Sequence, residues 1–174
     1  PFVTKLLMGG QLRFDKGNLS IFDQRVLIVP LELILILVRG SMKDRKLAKY
    51  VYESSKESVI GFCKIIEKKL GTSKKEVLDI LMNLTEMNGY GEIIPIKIDY
   101  DKKVAIFHLR GLPSKAFFGK IKVTSNTTAD VYWCGLVAGG ISFVFGTDID
   151  CIETRCIISG KDTCEVVAAS KTSL

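Results

Sequence analysis

The stretch that decides the fold is Cys151-Ile152-Glu153-Thr154-Arg155-Cys156, continuing through Ser159-Gly160-Lys161-Asp162 to Cys164-Glu165-Val166. It reads as two strands, Ile149–Ile158 and Thr163–Ala168, joined by a four-residue turn. So short a connection makes the strands antiparallel neighbours. It sets Cys156 and Cys164 near-diagonally across the pair, with little loop entropy to overcome. Glu153 precedes Cys156 by an odd offset, which in a regular strand puts the two on opposite faces. Their use at one point requires a bulge or a twist between them.

Working outward, Ala129–Phe145 has a helical pattern and is rich in small residues: Gly135, Ala138, Gly139, Gly140 and Ser142. Each glycine inside a helix costs roughly 1 kcal/mol relative to Ala. The usual return is close approach of another backbone or of a ligand. Gly146 ends this helix. Upstream, Ile94, Ile96 and Ile98 alternate, and a turn at 99–102 leads into a second strand, Val104–Arg110. Pro95 marks the first of these as an edge strand. Earlier still, Lys43–Leu70 carries apolar residues at helical spacing up to Gly71. Ser73 and Glu76 then form a capping box for a helix that closes at Asn88-Gly89. The N-terminal part gives a hairpin, Leu12/Phe14 with Leu19/Ile21 around a Gly17-Asn18 turn. A strand at Arg25–Val29 follows, then a short apolar helix, Leu31–Arg39, closed by Gly40. The order β-β-β-α-α-α-β-β-α-β-β lacks regular βαβ alternation. It predicts an α+β domain, residues 1–174, with an antiparallel sheet packed against several helices, an N-terminal hairpin, and a C-terminal hairpin bearing a Cys/Glu cluster.

The composition fits that reading. The chain has 174 residues, 47% hydrophobic and 25% charged, enough to bury a core and too apolar for disorder. The net charge of +6 is spread over helical faces that also carry acids, so direct nucleic-acid contact is not expected. The longest apolar run, Leu27–Val38, is shorter than a membrane span and is interrupted by Pro30 and Glu32. The first residues lack the pattern of a signal peptide, and a first residue other than Met suggests a trimmed or processed chain. Five cysteines (Cys63, Cys134, Cys151, Cys156, Cys164) are an odd number for a disulfide scaffold, which favours a reduced, cytoplasmic chain.

Chemistry is concentrated in the C-terminal hairpin. Two thiolates and a carboxylate are ligands for zinc, and a fourth could come from the small-residue helix or the strand: Asp130, Cys134 or Cys151. The same residues are compatible with a redox pair or with inert buried thiols. There is one histidine, His108, so a histidine-based metal cluster is excluded. No Gly-x-Ser-x-Gly elbow, Walker loop or dinucleotide fingerprint is present, and Ser159-Gly160-Lys161 is a tight turn. Catalysis is not expected.

Three stretches carry a family resemblance: Ile28-Val29-Pro30-Leu31-Glu32-Leu33, the helix Gly135 to Gly146, and Cys151 through Cys164-Glu165. With the order of elements, they make the chain resemble the 4-vinyl reductase-type domain family. This is the small-molecule-binding domain of archaeal proteins and of bacterial phenol-sensing regulators. The fold of that family is similar to those of TRAPP-type transport-complex subunits and haem nitric oxide sensors. The resemblance implies a structural zinc held by Cys, Glu, Cys and Cys. Carried over, Glu153, Cys156 and Cys164 match, whereas the first ligand position falls on Asp130, with Cys134 or Cys151 as alternatives. It further implies a regulatory homodimer with a face on the two long helices. It also implies a pocket for a small apolar ligand between the Gly-rich helix and the sheet. Candidate pocket residues are Phe107, His108, Phe117, Phe118, Tyr132, Trp133, Gly139 and Phe143. The alternatives are a ligand-free interaction scaffold, a thiol redox sensor and, as the family's name implies, a reductase of a tetrapyrrole vinyl group.

Overall fold

The computed structural model describes residues 2–117, 129–159 and 163–172. Helix α1 (Phe2–Met8) precedes a small meander of β1 (Leu12–Asp15), β2 (Asn18–Ile21) and β3 (Gln24–Val26). Three helices follow: α2 (Leu31–Lys43), α3 (Arg45–Leu70) and α4 (Lys74–Met87). Next come β4 (Glu92–Asp99), β5 (Val104–Arg110), a 3-10 turn at Pro113–Phe117 and helix α5 (Val131–Phe145). Strand β6 (Asp150–Arg155), a 3-10 turn at Ile157–Ser159 and strand β7 (Cys164–Ala169) close the chain. The two sheets are wholly antiparallel, ordered β1-β2-β3 and β4-β5-β7-β6. The α+β class, both hairpins and the edge position of the Pro95 strand are as the sequence predicts.

Several boundaries differ. The short helix does not close at Gly40 but continues to Lys43. There Asp44, accepting hydrogen bonds from the N–H groups of Lys46 and Leu47, starts α3. One aspartate cap thus splits the expected start of the long helix. Strand β3 is only three residues long, and α1 was not signalled by periodicity. Helix α5 starts at Val131 and not at Ala129. Strand β6 stops at Arg155, so Cys156 lies just beyond it. The capping box on α4 is complete: Ser73 accepts from the Glu76 N–H, and Glu76 accepts from the Ser73 N–H.

The inner face of the four-stranded sheet carries Ala105, Phe107, Leu109, Cys164, Val166 and Ala168, all buried. Helix α5 lies against it and is buried almost all round, as its uniform apolarity requires. On its other side α5 presses against α3. A Cβ at Gly139 would stand 2.5 Å from the Lys56 carbonyl oxygen, and one at Gly135 2.5 Å from that of Tyr52. The small residues therefore serve approach to a backbone, one of the two uses expected of them. Below them Lys56, almost fully buried, pairs with Asp148 at 2.7 Å and Asp150 at 2.9 Å. Tyr52 Oη donates to Asp150 at 3.3 Å and accepts from the Cys151 N–H at 2.8 Å. These bonds pin the start of β6 to α3.

A candidate metal centre beside an apolar cavity

The residue that sets the geometry is Thr154. Along β6 the pairing runs Glu153 opposite Val166, then Arg155 opposite Glu165, so Thr154 is the extra residue of a bulge. Its hydroxyl donates to the Glu165 carboxylate at 2.8 Å. The bulge cancels the odd offset. Glu153 shares the inner face with Val166, Arg155 turns outward with Glu165, and Cys156 turns back in and is buried. Cys164 opens β7 on the same inner face.

Asp130, immediately before α5, completes the group. One ligand atom from each of Asp130, Glu153, Cys156 and Cys164 lies within 4.8 Å of every other. The Cys164 thiol donates to Asp130 Oδ2 at 3.0 Å, and the Ile157 N–H approaches Cys164 Sγ at 3.1 Å. The Ala129 N–H donates to Glu153 Oε2 at 3.2 Å. The second oxygens, Asp130 Oδ1 and Glu153 Oε1, are buried and have no hydrogen-bond partner among the described residues. Asp130 itself is fully buried. Unpaired buried carboxylate oxygens are costly, and a cation is the partner that most reduces the cost.

The acids disturb one another. Burial, then the Asp130 charge and the Cys156 thiol, push Glu153 up to about 10. The hydrogen bond from Cys164 acts first on Cys156, and with those from Glu153 and the Ile158 N–H it lowers Cys156 to about 6 against burial. Its donor, Cys164, is raised. A thiolate already favoured at Cys156 is a nucleophilic, metal-ready sulfur. Two sulfurs and two carboxylate oxygens form a donor set of the kind that zinc accepts.

The two alternative ligands lie outside this group. Cys134 and Cys151, both buried, neighbour each other across the α5–β6 contact. The Cys151 thiol beside it, together with burial, raises Cys134 well above the ordinary thiol value. None of the five cysteines is joined in a disulfide.

The candidate pocket residues are dispersed. Phe107 is buried on the inner sheet face. His108, its neighbour in β5, faces the other way and meets Glu165 at 3.3 Å, because successive strand residues point to opposite faces. Trp133 is fully buried, its indole donating to the Tyr90 carbonyl at 2.9 Å. Gly139 abuts α3, and Phe143 lies under the Lys74 ammonium at 5.4 Å. Phe118 and the side chain of Phe117 lie outside the described residues. Between α5, α4 and the sheet, where a pocket was expected, there is space of only about 10 Å³ beside Phe107 and Gly140.

A cavity of about 500 Å³ lies elsewhere, between the N-terminal meander, α3, α4 and the start of α5. Ile21, Val59, Leu81 and Leu84 form its buried floor. Among the described residues, Tyr132 is the one expected pocket residue that lines it, with Leu136 a turn further along α5. The residues of the meander and of α3 carry no site motif, so nothing in the sequence marked this cavity.

No family model matches the sequence, and no curated protein matches it. Solved structures do match the fold. The phenol-responsive sensory domain of the transcription activator PoxR, with phenol bound, superposes with a TM-score of 0.76 at 15% identity, covering 96% of this chain and 87% of that one. A trafficking protein particle complex subunit 3 from Naegleria fowleri, covalently bound to palmitic acid, gives 0.57 at 14% identity, covering 80% and 91%. A vinyl-4-reductase family protein from Methanocaldococcus jannaschii gives 0.49 at 16% identity, covering 82% of each chain. The chain therefore has the fold of a class that includes a small-molecule sensory domain and a transport-complex subunit. At these identities the likeness is one of architecture.

Proposed function

We propose that this chain is a non-enzymatic, ligand-binding regulatory domain for a small, largely apolar molecule, with a structural metal at Asp130, Glu153, Cys156 and Cys164. The observation that carries the reading is that one helix serves both features. Helix α5 is preceded by Asp130 in the acid–thiol group, and its Tyr132 and Leu136 line the 500 Å³ cavity. A volume of that size with an apolar floor suits a small organic ligand. The PoxR domain, of the same fold, was solved with phenol. A metal such as zinc would supply no reaction step. It would offset half of the negative charge of the four ionised ligands and fasten the terminal hairpin to the start of α5. A ligand favouring one position of α5 would select that conformation and so signal. The chain acts as a homodimer, and its free thiols fit a reducing, cytoplasmic compartment.

The test is elemental analysis and native mass spectrometry of the purified chain. One bound divalent ion, lost in both Cys156→Ala and Cys164→Ala, and a co-purifying organic molecule, lost in the cavity-filling Leu84→Trp variant, are the expected results. Absence of metal from the wild-type chain overturns the metal assignment. Absence of any organic adduct, with no binding of added apolar compounds, favours an interaction scaffold. That second reading is supported by the fold shared with the trafficking subunit and by the packed space between α5 and the sheet.

A further inference from the structure

Over Leu31–Val38, helix α2 is apolar on two sides. Ile34 and Val38 are buried against the molecule. Leu33, Ile36 and Leu37, at i, i+3 and i+4, form an opposite stripe that is 47%, 57% and 40% exposed. Leu31 at the head of the helix and the extended Leu27-Ile28 before it are 48%, 77% and 85% exposed. Between Leu27 and Val38 the only charged residue is Glu32. A helix apolar all round is normally buried all round.

The two long helices named earlier as a dimer face look different. Lys46, Lys49, Glu53, Glu57, Lys64 and Lys68 of α3 are exposed, as are Lys74, Lys75, Glu76, Asp79 and Glu86 of α4. Charged residues are depleted at interface cores, so these faces suit solvent.

We infer that the outer face of α2, with Leu27 and Ile28, is the surface through which two copies of this chain pair. This rests on the homodimer reading above and locates its interface. Area supports a second copy as the occupant. The six side chains leave on the order of 600 Å² of apolar surface uncovered, at the upper end of what a monomer shows and close to the ~800 Å² each partner contributes to a standard interface. Charge supports it too. Glu32 at one end of the stripe and the exposed Arg39 and Lys43 at the other are opposite in sign, so they can meet across a two-fold axis, about which the apolar stripe between them is complementary to itself.

The experiment is light scattering coupled to gel filtration on the whole chain. The wild type is expected at twice its 19.3 kDa mass. The Leu33→Glu/Ile36→Glu variant is expected at the monomer mass with an unchanged circular dichroism spectrum. All five native cysteines are buried, so Ile36→Cys introduces the one accessible thiol, and a short bismaleimide is expected to join two such chains covalently. That readout stands even where the double variant fails to fold. A monomeric wild type overturns both the homodimer and this surface. A folded double variant that stays dimeric, or an Ile36→Cys chain that dimerises without cross-linking, overturns the surface alone. A monomer that instead associates with lipid vesicles or another protein through α2 also overturns it.

Discussion

Lys56 is an ammonium with 8% of its side chain exposed, held between Asp148 and Asp150 under the α3–α5 contact. Burial alone would lower its pKa, but hydrogen bonds to the two aspartates raise it. Burial likewise opposes the Asp150 charge, yet Lys56 holds that carboxyl below its ordinary value. The signs fix a window. The Asp150 contribution is present above the unfolded carboxylate value of about 3.9 and is lost as pH falls through its lower folded value. The Lys56 contribution is present below about 10.4 and is lost as pH rises through its higher folded value. Lys56→Met should therefore cost about 2–3 kcal/mol near neutral pH, less than a fully buried pair because Asp150 keeps solvent and Tyr52. Urea unfolding across pH should show the gap to wild type shrinking below about pH 4; a constant gap would mean that packing, not charge, is lost. A second prediction concerns Gly139, whose added methyl would meet the Lys56 carbonyl at 2.5 Å. Gly139→Ala should destabilise by about 1–3 kcal/mol despite a better helix propensity, as read from the urea midpoint.

At the scale of elements, the N-terminus of α4 offers a control remote from any site. Ser73→Ala removes the acceptor for the Glu76 N–H and should lower stability by about 1 kcal/mol with no change in metal content. The elements also show what the sequence made legible. The capping box, the hairpins, the edge strand and the small-residue helix all follow from local rules that tertiary structure leaves intact. The four residues now found together were readable as a set, although only a bulge at Thr154 could bring Glu153 and Cys156 to one face. The cavity was not readable, since its walls come from elements far apart in the chain and its residues are ordinary core types. His108 beside Phe107 illustrates the point. Adjacency in sequence suggested a shared pocket, while strand alternation separates them.

For the whole molecule, the acid–thiol group joins the start of α5 to the last two strands, so its effect is expected to be global. A chelator should lower the melting temperature of the wild-type chain by several degrees and leave that of Cys164→Ser unchanged, as followed by calorimetry. Equal shifts in both would place the chelated ion elsewhere.

The four-stranded sheet ends in two interrupted margins. One outer strand carries Pro95 and a register shift between Pro95 and Lys97, and the other carries the Thr154 irregularity. Neither margin offers the long, even row of amide and carbonyl groups that a stranger's backbone would need for zipping on. Copies crowded together are thus steered away from joining this sheet edge to edge into filaments.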